Sequence, residues 1–334
     1  MSTTNFKLLQ VHFNIEMEAL KKIIDTYKKQ GYHFVGKYSL IKPCHWLKAS
    51  LLSRGTRYCY KQKFYGIPSH RCLQMSPTIA CTQQCLYCWR IQASDLKVTW
   101  NEVDLRDYDD PDKVVVNSII KQRQVLSGLK GNKKVDRKML EEAFRPIHAA
   151  ISLVGEPTLY PKIDELIGSF FKHGFKTVFL VTNGTRPDVL SKMQNEPSQL
   201  YVSLSAPNEE IYRKLCRPRI KDGWKKLMET LELLKSFSCP TVIRITLVKN
   251  INMQSIGEYA KIISKAEPTY VEPKAAMSLG WFRYRLPLNA MPKYNEVEKF
   301  GIELAKLIGY NVIDYSINSR IVLLSKLDKP IKLL

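Results

Sequence analysis

Ile79-Ala80-Cys81-Thr82-Gln83-Gln84-Cys85-Leu86-Tyr87-Cys88-Trp89-Arg90 sets three cysteines in the spacing C-x3-C-x2-C, with an aromatic residue just before the third. Three thiolates on one short loop suit three irons of a four-iron cluster. The fourth iron is then left without a protein ligand. An open coordination position makes a metal centre reactive rather than structural. The competing readings are zinc with a distant fourth ligand, or plain structural thiols. A zinc knuckle usually pairs two C-x2-C units, and this stretch has one.

Working outward, the 334 residues suit one large α/β domain or a barrel with additions. Hydrophobic residues make up 45% and charged residues 25%, ordinary proportions for a globular protein. The start, Met1-Ser2-Thr3-Thr4-Asn5-Phe6, has no apolar run behind a basic segment, and no later run is long enough to span a bilayer. A cytoplasmic location without membrane contact is expected. There thiols stay reduced, which favours metal binding over disulfides.

Lys and Arg number 52 against 31 Asp and Glu, a net charge of +21. Such an excess points to a polyanionic partner. It is concentrated in patches. Residues 121–138 carry seven cations against Asp136, and residues 213–226, which include Arg217 and Arg219, carry seven against Asp222. From Lys274 to Lys293 there is no acid, and Trp281-Phe282-Arg283-Tyr284-Arg285 interleaves aromatics with cations. A loop of that kind can pair with phosphates and stack on bases. Arg217, Arg219, Trp281, Phe282, Arg283 and Arg285 are therefore candidate RNA contacts, with Trp281 and Phe282 as stackers. A solvated basic face is the plain alternative for any one patch.

Apolar periodicity predicts a helix over residues 15–29, then an irregular, short-stranded stretch over 32–80. Beyond the cysteine loop, strands are predicted at 148–154, 177–181, 200–204, 241–248 and 269–273. Helices separate them near 111–128, 136–145, 161–173, 187–195, 208–215, 222–236 and 253–265. A last helix near 293–308 precedes strands near 311–315 and 320–324. Strand–helix alternation implies parallel strands with right-handed crossovers. Continuous apolar runs such as Val178-Phe179-Leu180-Val181 are what buried parallel strands require.

The unusual motifs fall at the C-terminal ends of these strands, where barrels carry their chemistry. Gly155 would let the backbone approach a ligand closely, and Glu156 offers a carboxylate to an ammonium group. Thr182, Asn183, Ser203 and Ser205 suit ribose or carboxylate contacts, or else ordinary turn chemistry. Arg244, inside an apolar strand, needs an anionic partner: a ligand carboxylate or a structural salt bridge.

With these partners the cysteine triplet resembles the signature of the radical S-adenosylmethionine (SAM) superfamily. The resemblance implies a 4Fe-4S cluster on Cys81, Cys85 and Cys88 whose open iron chelates SAM. It also implies a SAM site built from Tyr87, Gly155, Glu156, Thr182, Asn183, Ser205 and Arg244, with Tyr87 near the adenine. The fold implied is an incomplete TIM-type (βα)6 barrel with N-terminal and C-terminal extensions: residues 1–70 as the extension with the first helix, 71–334 as barrel and tail.

A second cysteine set narrows the family. Cys44, Cys59 and Cys72 are separated by 14 and 12 residues, a spacing that fits no common zinc signature. Cys216 and Cys239 stand alone and read as small buried hydrophobes. The stretches Cys59-Tyr60-Lys61-Gln62-Lys63-Phe64-Tyr65-Gly66-Ile67 and Ser69-His70-Arg71-Cys72-Leu73-Gln74-Met75 resemble the archaeal 4-demethylwyosine synthase family. So do Val154-Gly155-Glu156-Pro157, Arg217-Pro218 and Arg244-Ile245-Thr246-Leu247-Val248. That family is a lyase acting on N1-methylguanosine beside the anticodon of phenylalanine tRNA, with pyruvate as two-carbon donor, in wybutosine biosynthesis.

The resemblance implies a second 4Fe-4S cluster, on Cys44, Cys59 and Cys72, placed to receive pyruvate, with Lys61 as the Schiff-base residue. Eukaryotic members carry a flavodoxin-like domain for which this chain has no room. A separate electron donor of flavodoxin or ferredoxin type is therefore expected, and a monomer. The rivals are a radical SAM enzyme acting on a peptide, and a zinc-stabilised RNA-binding protein.

Overall fold

The computed structural model describes residues 18–98 and 105–334. Residues 18–29 form helix α1; the first three residues of the predicted helix, 15–17, lie outside the described residues. Two short strands, β1 (His33–Phe34) and β2 (Leu40–Ile41), precede helices α2 (His45–Leu52) and α3 (Tyr60–Tyr65). Then come β3 (Cys72–Ser76), β4 (His148–Ile151), β5 (Thr177–Thr182), β6 (Gln199–Ser203), β7 (Thr241–Leu247), β8 (Tyr270–Ala275), β9 (Asn311–Ser316) and β10 (Ile321–Ser325).

All ten strands form one sheet in the order β1-β2-β3-β4-β5-β6-β7-β8-β10-β9. The six from β3 to β8 run parallel in chain order. β2 and β1 extend one edge antiparallel, and β10 and β9 extend the other. This is the expected (βα)6 arrangement, open at its edges.

Helices fill the crossovers: α4 (Pro111–Ser127) and α5 (Arg137–Ala143) before β4, α6 (Ile163–Lys172) before β5, and α7 (Pro187–Leu190) before β6. α8 (Glu209–Cys216) and α9 (Gly223–Leu233) precede β7, and α10 (Ile256–Ala266) precedes β8. α11 (Phe282–Arg285) and α12 (Tyr294–Ile308) follow β8. Local chemistry sets the starts. Asp110, Asp136 and Asn208 cap α4, α5 and α8 by accepting from backbone amides three residues on, each satisfying an orphan donor.

The central strands divide their side chains between two cores, as their period of two dictates. Leu73, Ile151, Leu180, Val202, Ile245 and Val271 pack against the helix layer, with Phe170, Leu231, Ile263 and Phe300. Phe179, Tyr201, Val242 and Tyr270 face the other way, with Tyr60, Phe64 and Tyr65 of α3 and with Ile321 and Leu323 of β10. Helix α3 therefore plugs the inside of the sheet.

The stretch expected to be irregular, residues 32–80, instead holds α2, α3 and the first parallel strand. Six- and eight-residue helices are too short to print a periodic pattern. Both are announced by a cysteine: Cys44 is the N-cap of α2, accepting from the Leu47 amide at 3.3 Å, and Cys59 is the N-cap of α3. The strand predicted over 148–154 stops at Ile151, because the amides of Leu153 and Val154 turn to donate to Ser76 Oγ (2.9 and 2.7 Å). The helix predicted over 187–195 is helical only through Leu190.

Candidate active site

The cysteine loop leaves the C-terminal end of β3 and lies across the ends of β4 to β6. Four hydrogen bonds help to fix it there. Glu156 donates its amide to the Ala80 carbonyl (2.7 Å). Thr82 Oγ1 hydrogen-bonds Thr185 Oγ1 (2.7 Å) and accepts from Asn183 Nδ2 (2.9 Å). Gln92 Nε2 donates to the Cys85 carbonyl (2.9 Å). Gly155 has φ +67°, and a Cβ there would lie 2.5 Å from the Ala80 carbonyl oxygen and 2.6 Å from that of Thr78. Gly155 thus makes a close approach to the root of the cysteine loop.

Glu156 is buried at 1% exposure, and its Oε1 accepts from Thr182 Oγ1 (2.6 Å), Thr158 Oγ1 (2.7 Å) and the Thr158 amide (3.1 Å). Oε2 accepts the Asn183 amide (2.7 Å). Burial pushes this carboxyl up, against the pull of the Thr182 and Thr158 hydroxyls. One carboxylate thus ties the end of β4 to the end of β5, and Oε2 retains capacity for a second donor. Asn183 continues the chain to the cysteine loop, its Nδ2 standing 3.9 Å from Cys81 Sγ. Tyr87 donates to Ser205 Oγ (3.0 Å), whose carbonyl accepts from Asn252 Nδ2 (2.8 Å). Tyr87, Glu156, Thr182, Asn183 and Ser205 are thus gathered around one loop.

None of the eight cysteines is in a disulfide. Cys85 Sγ donates to Gln83 Oε1 (3.2 Å) and is also hydrogen-bonded with Cys216, which with burial holds the Cys85 thiol well above its ordinary range. Cys216 is buried at 3% in the helix-side core, as its isolation predicted, but it also sits directly beneath the cysteine loop. Among the described residues no three His, Cys, Asp or Glu side chains converge as they would on a single ion. A four-iron cluster asks for something else: three thiolates on three separate irons, around a space. The loop offers three thiols, the donor number that demand calls for.

Cys44, Cys59 and Cys72 come from two helix N-caps and the first residue of β3. Burial raises all three thiols, Cys59 to about 11. The Cys72 thiol feels Cys44, Lys61 and Cys59 in turn, and Cys59 feels Lys61 and Cys44. Lys61 favours the thiolate at each of the three. The charge of Lys61 thus reaches all three thiols, which places the four residues in one neighbourhood. Lys61 is half-buried, its Nζ 4.6 Å from the centre of the Phe179 ring and 6.0 Å from that of Tyr201.

Arg244 does not join the SAM-side residues. On β7 it stands in register with Glu272 of β8 and pairs with it, while also donating to Tyr60 Oη (2.8 Å). The salt-bridge reading replaces the ligand-carboxylate reading: Glu272 is 0% exposed and accepts from Tyr65 Oη (2.6 Å) as well. This network was invisible in the sequence because Tyr60, Tyr65, Tyr201 and Glu272 meet only through the sheet and α3.

Residues 75–263 match the model of the radical SAM superfamily, and residues 265–326 match the model of wyosine base formation. The chain is 48% identical over 313 residues to the S-adenosyl-L-methionine-dependent tRNA 4-demethylwyosine synthase of Pyrococcus horikoshii, covering 92% of this chain and 90% of that one. Its Methanocaldococcus jannaschii counterpart is 35% identical, covering 93% and 98%. The chain belongs to the tRNA 4-demethylwyosine synthase family of radical SAM proteins. A solved structure of TYW1 with a lysine-pyruvate adduct bound superposes with a TM-score of 0.82 at 34% identity, covering 93% of this chain and 98% of that one. A crystal structure of archaeal TYW1 gives 0.76 at 32%, with the same coverage. A 4Fe-4S cluster and SAM follow from membership of the radical SAM superfamily.

Two cationic segments bracket the cysteine loop of this 4-demethylwyosine synthase family member. On one side Gln84 donates its amide to the carbonyls of Cys216 and Arg217 (both 3.1 Å), and Arg219 donates to Thr82 (2.8 Å); Arg217 and Arg219 are exposed. On the other, the Trp281 amide donates to the Trp89 carbonyl (3.0 Å). Arg283 is exposed and Trp281 half-buried, but two of the expected RNA contacts are not on the surface. Phe282 is 0% exposed and packs with Leu86 and Tyr87, so it supports the site instead of stacking on RNA. Arg285 is spent within the protein: it pairs with Asp95 and donates to the carbonyls of Cys88 and Arg90 (the latter at 2.8 Å). Tyr284, not singled out by the sequence, is the aromatic of this run that faces solvent, at 79% exposure. On a helix, 282 and 285 share a face and 284 lies off it; the alternation of aromatic and cation concealed that.

Proposed function

We propose that this protein is a radical SAM lyase that converts N1-methylguanosine beside the anticodon of phenylalanine tRNA, with pyruvate, into 4-demethylwyosine. The observation that carries the reading is the match to 4-demethylwyosine synthases over nine-tenths of the chain, in a sequence that holds both the Cys81-Cys85-Cys88 loop and the Cys44, Cys59, Cys72 and Lys61 set. When bound, the loop's 4Fe-4S cluster supplies the electron that cleaves SAM to the 5′-deoxyadenosyl radical.

The chain's own residues divide the remaining work. Glu156 Oε2 offers an acceptor to the SAM ammonium, and the Tyr87–Ser205 pair shapes one wall of the same site. Thr182 and Asn183 hold Glu156 in register with the cysteine loop. Lys61 Nζ attacks the ketone carbon of pyruvate, and water leaves as the imine forms. Phe179 and Tyr201 give that amine an aromatic floor and limit water on one side. Cys44, Cys59 and Cys72 would hold a second 4Fe-4S cluster in this reading.

Arg217, Arg219 and Arg283 are the phosphate contacts of this reading, with Trp281 at their edge. The electron donor is a separate flavodoxin or ferredoxin, and the protein works as a cytoplasmic monomer. Among the described residues no helix is long and apolar enough to cross a membrane. Residues 1–70 are an extension that brings Cys44 and Cys59 to the barrel of 71–334.

The test is anaerobic incubation of the reconstituted protein with N1-methylguanosine-containing tRNA, SAM and pyruvate. The expected outcome is 5′-deoxyadenosine together with a nucleoside of the mass of 4-demethylwyosine. Deoxyadenosine with an unaltered nucleoside would overturn the substrate assignment. About eight irons per chain are expected from two clusters, and about four would remove the second.

A further inference from the structure

We infer that Tyr284 is a stacking platform for an unpaired nucleobase of the RNA loop that presents the target guanosine. The inference rests on the tRNA reading above and adds to it a base-binding subsite. At 79% exposure Tyr284 is the most exposed large apolar side chain of the described residues, and Leu288 at 70% and Leu279 at 47% lie in the same segment. An isolated exposed apolar residue is unremarkable, but three within ten residues of chain make this an unusually apolar stretch of surface.

The ring is also preset. Its centroid lies 5.1 Å from that of Trp281 at an interplanar angle of 49°, so one aromatic steadies the other. The backbone beneath it is fixed to the radical loop. Arg285, the next residue, is bonded to the carbonyls of Cys88 and Arg90 and to Asp95. At Gly280, φ is +51° and a Cβ would lie 2.3 Å from the Trp89 carbonyl oxygen, so the segment enters in direct contact with the loop. Tyr284 is thus an exposed aromatic at the rim of the site, rigidly referenced to Cys88.

The charge around it selects the partner. From Lys274 to Lys293 there is no carboxylate, and Arg283 beside the ring is exposed. An exposed arginine beside an exposed aromatic face is an arrangement that holds single-stranded nucleic acid, phosphate to cation and base to ring. Chemistry on a base requires that base to leave its stack, which strips its neighbour of a stacking partner. Tyr284 supplies the replacement.

The experiment measures binding of the full, cluster-reconstituted chain to an anticodon stem-loop RNA containing N1-methylguanosine, by fluorescence anisotropy at several salt concentrations. Tyr284→Ala is expected to weaken binding about tenfold, ~1.4 kcal/mol. Tyr284→Phe and Tyr284→Trp should restore it, and the salt dependence should be unchanged because no ion pair is lost. Arg283→Ala should instead make the salt dependence shallower. Thermal unfolding of each variant establishes that the fold is retained. Alanine binding within twofold of wild type, or phenylalanine as weak as alanine, would overturn the platform. So would a wild-type dimer that Tyr284→Ala converts to monomer, which would make the patch a contact between copies. Loss of the tRNA reading is distinguishable: then the wild-type chain itself fails to bind the RNA in a salt-sensitive manner.

Discussion

Arg244 of β7 and Glu272 of β8 stand opposite each other in register and form an ion pair inside the sheet, with Glu272 fully buried. Removing one member of a buried pair strands the other, whereas replacing both is far less costly. Arg244→Met should lower unfolding free energy by about 3–5 kcal/mol, and Glu272→Gln in that background should recover much of the loss, since Gln still accepts from Tyr65. Denaturant midpoints of both singles and the double measure the coupling. If Arg244→Met instead leaves stability intact and weakens SAM binding, the ligand-carboxylate role returns.

Gly155→Ala tests how the Gly-Glu turn meets the cysteine loop. The residue has φ +67° and no room for a Cβ against the Ala80 and Thr78 carbonyls. Backbone strain alone should cost about 1–3 kcal/mol. Displacement of the loop should also slow SAM cleavage, seen as reduced 5′-deoxyadenosine in a single-turnover assay. Cleavage at the wild-type rate would mean that the loop yields without consequence.

Arg285→Met removes the anchor of the Cys88 carbonyl and leaves Asp95 buried without its partner; both side chains are under 10% exposed. The cost should be about 3–5 kcal/mol, accompanied by fewer irons per chain after reconstitution. Wild-type iron content with lowered stability would confine Arg285 to a structural role.

Lys61→Ala should still cleave SAM yet yield no pyruvate adduct on borohydride reduction and no tricyclic nucleoside. The adduct is read by intact-protein mass. Its persistence in the variant would move the Schiff base to another amine.

Lys274 gives a signature in pH. Burial, and next the Arg244 charge, bring its amine down to about 8 from 10.5. Between those values the unfolded chain binds the proton that the folded chain has released, so this group's contribution to stability rises with pH across the window. In the cluster-free protein, the difference in unfolding free energy between wild type and Lys274→Met should shift toward wild type from pH 8 to 10.5. A constant difference would place the amine at its ordinary value.

Much was legible in one dimension. Residues 79–90 announced the cysteine loop, because the spacing of residues on one loop is read directly from the chain. The apolar runs from His148 to Pro273 announced parallel strands, because a strand buried on both faces must be apolar throughout. Only the tertiary structure decided the rest, wherever a role depends on which distant partner a side chain meets. Gly155 serves the backbone of Ala80, Arg244 is claimed by Glu272, and Arg285 is drawn into the cysteine loop while Tyr284 is turned out to solvent. Sequence specifies the chemistry a residue can offer; sheet register and helix phase fix the neighbour that receives it.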